Sequence, residues 1–276
     1  MPNINIHGAQ ARLHVGHVAG CSAILSSQAE NPMRLLTPRA RGPSVWAYTS
    51  NFGGGMVAGD RTRLVATIDE GARCFIGTQA STKIYRNPSM RRCSHDFMGR
   101  VAHGALLVLA PDPVQCFAGS SYEQRQHFIL APTANLLLVD WMSAGRTACG
   151  ERWNFRCYSS RNEIERDGQT ILMDSLLLNS SHDALEGKFR GGPFNCFATV
   201  CLFGPQLAGL ARDILDWSAA QPVSPQSSLL VAVSPRQEGA ILRLAGTSTE
   251  EVGLAIHARI MLVRQLLEDD PWARKW

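Results

Sequence analysis

Five carboxylates stand out for the company they keep: Asp60, Asp112, Asp140, Glu151 and Asp174 each lie among apolar or glycine-rich neighbours. An acid in such a setting has three uses. It can form a structural ion pair, for which Arg61 and Arg146 are at hand; it can join a second acid for general acid–base work; or it can face a wet interior and attract cations. Asp60 closes the run Asn51-Phe-Gly-Gly-Gly-Met-Val-Ala-Gly-Asp60. A glycine run can bring backbone N–H groups to a phosphate, but phosphate loops open a helix and carry Lys-Ser/Thr. Here an alternating strand follows, and the first lysine is Lys83. A sharply turned β-connection is therefore expected, with Asp60 either capping the turn or facing a polar cavity.

Metal and nucleophile chemistry find less support. His14-Val-Gly-His17, Cys93-Ser-His95 and Cys196–Cys201 lack partnered Cys-x-x-Cys spacing, and residues i and i+3 on a strand point to opposite faces. No tightly bound cofactor or closed zinc centre is expected. Gly-x-Ser-x-Gly and His-Glu-x-x-His are both missing.

The elements that must hold these residues are mostly strands. Val45–Thr49 is β-branched and aromatic, and 63–69 alternates with period two. Further extended segments are expected at 73–78, 105–109, 127–130, 135–141, 153–158, 195–203, 229–233 and 240–244. Asp167-Gly168, between 162–166 and 170–177, signals a hairpin. The arginine-rich stretch from Arg86 to Arg100 is expected as a solvated loop. Leu207, Leu210, Ile214 and Trp217 share one helical face, and Ser248 with Glu251 forms a capping box ahead of a second helix that ends at Asp269-Asp270-Pro271. The expected fold is mainly β: one β-rich scaffold, β-helix-like or irregularly layered, over about 1–203 and 229–245, with helices over about 205–217 and 249–268. No βαβ rhythm and no repeat of fixed period appears.

Composition narrows the class. The 276 residues are 45% hydrophobic, which excludes extended disorder. Net charge is only +4, and aromatic residues make up 7%, so a nucleic-acid binder is not favoured. No apolar stretch is long enough for a membrane span. Eight cysteines in a chain of this length, without a secretory leader, read as thiols of a cytoplasmic protein.

Several blocks in order resemble the urease accessory protein UreD (UreH) family. They are Gly54-Gly55-Met56-Val57-Ala58-Gly59-Asp60, Gly71-Ala72-Arg73, and Thr78-Gln79-Ala80-Ser81-Thr82-Lys83-Ile84-Tyr85-Arg86, then Pro111-Asp112-Pro113-Val114 with Phe117-Ala118-Gly119, and Gly145-Arg146-Thr147-Ala148 with Gly150-Glu151. Cys116 departs from the family's usual proline, and the tail Trp272–Trp276 is atypical.

The resemblance implies a chaperone of urease maturation rather than an enzyme: a scaffold that binds apo-urease and UreF, and through UreF the GTPase UreG. Ni²⁺ would cross an internal tunnel as transient cargo. The family's tunnel acids match Asp60, Asp140 and Asp174 in this sequence. Such carboxylates would attract a hydrated cation without caging it. The motif residues Gly54, Gly55, Gly59, Gln79, Lys83, Tyr85, Arg86, Asp112, Arg146 and Glu151 are expected to brace the scaffold or meet a partner. The competing reading is a β-rich hydrolase with paired carboxylates, which requires two acids within ~10 Å in a blind pocket rather than acids along a through-channel.

Overall fold

In the computed structural model, residues 9–180, 184–221, 224 and 226–274 are described. Residues 222, 223 and 225, and Lys275 and Trp276 of the tail, lie outside them.

The chain opens with a hairpin of β1 (Ala9–Val18) and β2 (Cys21–Ala29), then β3 (Met33–Leu36). It next winds as a solenoid. Its first three coils each run through a strand of one sheet, a short strand on a third face, and a strand of the opposite sheet. These are β4 (Val45–Asn51), β5 (Gly55–Met56) and β6 (Arg61–Ile68), then β7 (Arg73–Thr78), β8 (Thr82–Ile84) and β9 (Cys93–Val101), then β10 (Leu106–Leu109), β11 (Val114–Cys116) and β12 (Ser121–Leu130). A fourth coil has β13 (Asn135–Ser143) and β14 (Cys157–Arg166). Neighbouring coils pair in parallel on every face. Parallel strands thus arise here without helical crossovers.

Antiparallel strands complete both sheets. β15 (Gln169–Asn179) returns on β14 through Asp167 and Gly168, both at positive φ, as the hairpin signal requires. β16 (Cys196–Phe203) pairs with β13, and β18 (Gly239–Gly246) lies between β16 and β17 (Leu229–Arg236). One sheet therefore runs β15-β14-β12-β9-β6-β1-β2, and the other β17-β18-β16-β13-β10-β7-β4-β3.

Helices cover the outer face of the second sheet. α1 (Ala208–Ala219) and α2 (Thr249–Ile260) bury Leu210, Ile214, Val252 and Ile256 against Val108, Val139, Val200 and Leu242. Each such side chain contributes roughly 1.5–3 kcal/mol when fully buried. Ser248 caps α2 by accepting the Glu251 N–H at 3.1 Å, but the Glu251 carboxylate turns to Ser228 and Thr247 rather than closing the box. The second helix expected from sequence is two: α2, then α3 (Val263–Leu267). The tail packs back on the body, with Trp272 edge-on to Phe75 and Tyr48 donating to the Pro271 carbonyl.

Several elements differ from expectation. Cys93–Val101 is a strand, so the solvated loop is confined to residues before it. Strand β12 begins at Ser121, six residues earlier than read, and β14 only at Cys157, after Trp153 at positive φ. All eight cysteines are free thiols, six of them buried.

Candidate functional site

Between the two sheets, the inward alternation of apolar residues breaks at one level. On β12, Tyr122 and Phe128 flank Gln124 and Gln126; on β14, Tyr158 and Ile164 flank Ser160 and Asn162. His95 lies between Cys93 and Phe97 on β9, and Asp140 between Leu138 and Met142 on β13. Register aligns these breaks. Thr62, His95, Gln124 and Ser160 stand side by side on four parallel strands, and the next row holds Gln126, Asn162 and Asp174. Opposite them, Asp140, Thr199 and Arg243 are neighbours across β13, β16 and β18. A polar belt thus separates two apolar clusters of the solenoid interior, one around Leu13, Leu64 and Phe128, the other around Met56, Tyr122 and Phe155.

Asp140 is the centre of the belt. Its Oδ1 accepts from Gln124 Nε2 at 2.9 Å, and its Oδ2 from Ser160 Oγ at 2.6 Å and Asn162 Nδ2 at 2.8 Å. All three donors are neutral, and among the described residues no Arg, Lys or His pairs with it. Burial pushes its carboxyl above the usual range, the three hydrogen bonds pull it back, and nearby Asp174 raises it further. Asn162 spends its amide on Asp140, and its own Oδ1 is buried without a partner. Asp174 is held by Arg243 at 2.7 Å.

Asp140 lines two cavities. One, of about 190 Å³, is also bounded by Thr62, His95, Gln124 and Asp112, with Gly54, Gly55 and Gln79 at its wall. The other, of about 790 Å³, lies between the β15 and β17 edges and is bounded by Asp174, Thr199 and Arg243 together with Leu176, Leu178 and Phe197. Among the described residues, no group of three or more His, Cys, Asp and Glu is gathered to hold a metal ion. The belt can attract a hydrated cation and offers no closed cage for it.

The remaining sequence-selected residues occupy other places. Asp60 caps the turn behind Gly55: its carboxylate accepts the Val57 N–H at 2.9 Å, and its own N–H donates to the Val57 carbonyl at 3.0 Å. It does not line either cavity. Asp112 joins Thr78, whose hydroxyl accepts the Asp112 N–H at 2.7 Å. Tyr85, Arg146 and Glu151 form a brace over the third face. The Tyr85 hydroxyl donates to the Gly53 carbonyl at 3.0 Å, Tyr85 meets Phe117 edge-on, Arg146 lies over Phe117 at 4.4 Å, and Glu151 accepts from Arg146 and from the Ala118 N–H. That chain ties all four coils together. The bond from Arg146 holds the Glu151 carboxyl below its ordinary range. The Arg86 side chain covers Gly119, and the Arg91 guanidinium covers Gly59, both glycines at positive φ. Lys83 is exposed on the third face. Gly55 is required by close approach: a Cβ there would stand 2.5 Å from the Lys83 carbonyl oxygen.

Sequence reasoning missed Thr62, Gln124, Gln126, Ser160, Asn162, Thr199 and Arg243, and set His95 aside for want of a partnered metal-ligand spacing. Their signal is a polar residue at an inward position of a strand, which becomes visible only once the strand phase is known.

Residues 7–276 match the UreD urease accessory protein family. The chain belongs to this family. It is 41% identical over 260 residues to the urease accessory protein UreD of Sorangium cellulosum, covering 94% of this chain and 81% of that one. With the urease accessory protein UreD of Anaeromyxobacter it shares 38% identity over 275 residues, 99% of this chain and 91% of the other. Across kingdoms, urease accessory protein D of Arabidopsis thaliana is 31% identical over 296 residues, 96% of this chain and all of that one. These relatives are named as accessory proteins rather than enzymes, so the carboxylate-pair hydrolase gives way to an accessory role. No helix among the described residues is long and apolar enough to cross a membrane.

Proposed function

We propose that this UreD-family chain is the urease-maturation scaffold through which Ni²⁺ reaches the apo-urease active site, bound to UreF and through it to the GTPase UreG. The observation that carries the conduit is that one half-buried carboxylate, Asp140, belongs to the walls of both cavities, the smaller inside the solenoid and the larger open between the β15 and β17 edges. A cation crossing from one to the other meets Asp112, then Asp140, then Asp174. The donors around Asp140 are neutral, and among the described residues no cationic side chain pairs with it. In this reading, Asp60 acts through the turn that sets the wall at Gly55, and Tyr85, Arg146 and Glu151 hold the coils in register.

Complementation of a urease operon lacking its own family member, with co-purification from the same cells, tests the role. Urease activity should return, and apo-urease and UreF should co-purify with this chain. Failure of both with cognate partners would contradict it.

A further inference from the structure

The carboxylates of the belt do not by themselves explain a choice of metal. Hard oxygen ligands suit Mg²⁺ and Ca²⁺, both far more abundant in cells than nickel, whereas an imidazole nitrogen suits Ni²⁺ and its transition-metal neighbours. Among the described residues, His95 is the one imidazole on the wall of the smaller cavity, which it shares with Asp112 and Asp140. Its ring is anchored at one end: Nδ1 lies 2.8 Å from Thr62 Oγ1. The Thr62 hydroxyl has a second destination for its proton, the Ser94 carbonyl at 3.4 Å. The relay Nδ1–H to Thr62 to Ser94 therefore leaves a lone pair on Nε2 with every hydrogen bond kept. Burial also lowers the His95 pKa to about 4, so the ring is neutral under physiological conditions.

We propose that His95 Nε2 is a transient ligand that selects divalent transition-metal ions over Mg²⁺ and Ca²⁺ at the cavity preceding Asp140. This rests on the conduit reading above. Thr62 is the positioning residue: it fixes the ring orientation, as partners of metal-bound histidines do. With a single nitrogen and otherwise oxygen ligands, the ion is held loosely and moves on.

The test has two arms. In a reconstituted activation mixture with limiting Ni²⁺ and rising Mg²⁺, nickel delivered to urease is counted for the wild type, His95→Gln and Asp140→Asn. His95→Gln should fall behind the wild type by about tenfold or more at excess Mg²⁺, the scale of losing one orienting or ligating group. In the second arm, the full-length chain with labelled histidine ring nitrogens is titrated with Ni²⁺ or Mg²⁺ alone. The His95 signals should broaden with Ni²⁺ and ignore Mg²⁺. If His95→Gln tracks the wild type at every Mg²⁺ level while Asp140→Asn fails, the conduit stands and the role of the imidazole is overturned. If both variants track the wild type, the conduit reading falls and this inference with it. Should His95→Gln fail to co-purify with its partners, the second arm decides: a wild-type ring insensitive to Ni²⁺ overturns the proposal.

Discussion

Asn162 on β14 donates its amide to Asp140 on β13 across the solenoid interior, at 2.8 Å. That bond closes a ring. Asn162 lies opposite Asp174 on β15, Asp174 pairs with Arg243 on β18, and Arg243 lies opposite Thr199, which in turn faces Asp140. The two sheets, joined elsewhere mostly by apolar packing, are tied at this level by polar groups. A protein selected for stability alone would fill the level with leucine. The proposed conduit uses that polarity.

Asp60→Ala should destabilise the fold by about 0.5–1.5 kcal/mol, the worth of one hydrogen bond, because Val57 loses its acceptor. Asp60→Asn keeps an acceptor and should restore both the denaturation midpoint and urease activation. Intact stability with lost nickel delivery in Asp60→Asn would instead make Asp60 a ligand.

Gly55→Ala should cost about 1–3 kcal/mol by overpacking, since the new methyl meets the Lys83 carbonyl oxygen at 2.5 Å and the Tyr85 ring at 2.8 Å. Thermal denaturation reads this directly. An unchanged midpoint would mean that the third face is loosely packed.

Acid should weaken the fold through His95. Its pKa is about 4 when folded and 6.5 when free, so between those values the unfolded chain binds more protons. Stability from this group is therefore complete above 6.5 and is lost as pH falls toward 4, with a slope approaching ~1.4 kcal/mol per pH unit. His95→Gln should flatten that decline in urea titrations at a series of pH values. Asp140 acts in the opposite sense, because its carboxyl is raised in the fold and acid favours it. Asp140→Asn should therefore steepen the decline.

The hairpin at Asp167-Gly168, the strand at 73–78 and the cap at Ser248 were legible because each is a local matter of φ, alternation or a single hydrogen bond. The start of β12 was not. Gln124 and Gln126 put polar side chains at inward positions, so Ser121–Leu130 lacks a clean alternation, and only His127 onward reads as a strand. The residues that hide the strand are the ones that build the belt. β5, β8 and β11 span two or three residues each and carry too little pattern to read. Solenoid coils opening at Val45, Arg73, Leu106 and Asn135 repeat in space without repeating in sequence, because register asks only for inward volume. Asp140 and Asp174 stood out by their apolar neighbours and by family likeness, whereas the place of His95 beside Thr62 and Gln124, and that of Asn162, needed the register.

Nickel delivered to urease by the assembled complex, measured for the wild type and for Asp140→Asn, tests the conduit most directly. The substitution keeps the side-chain shape and removes the charge, and the Asn162 amide can turn to offer its unpartnered Oδ1 to the new N–H; stability should change by no more than about 1–3 kcal/mol and co-purification should persist. Delivery should drop by about tenfold or more, since the carboxylate that, among the described residues, is common to both cavities is neutralised. Equal delivery from an intact complex would contradict passage of the ion past Asp140.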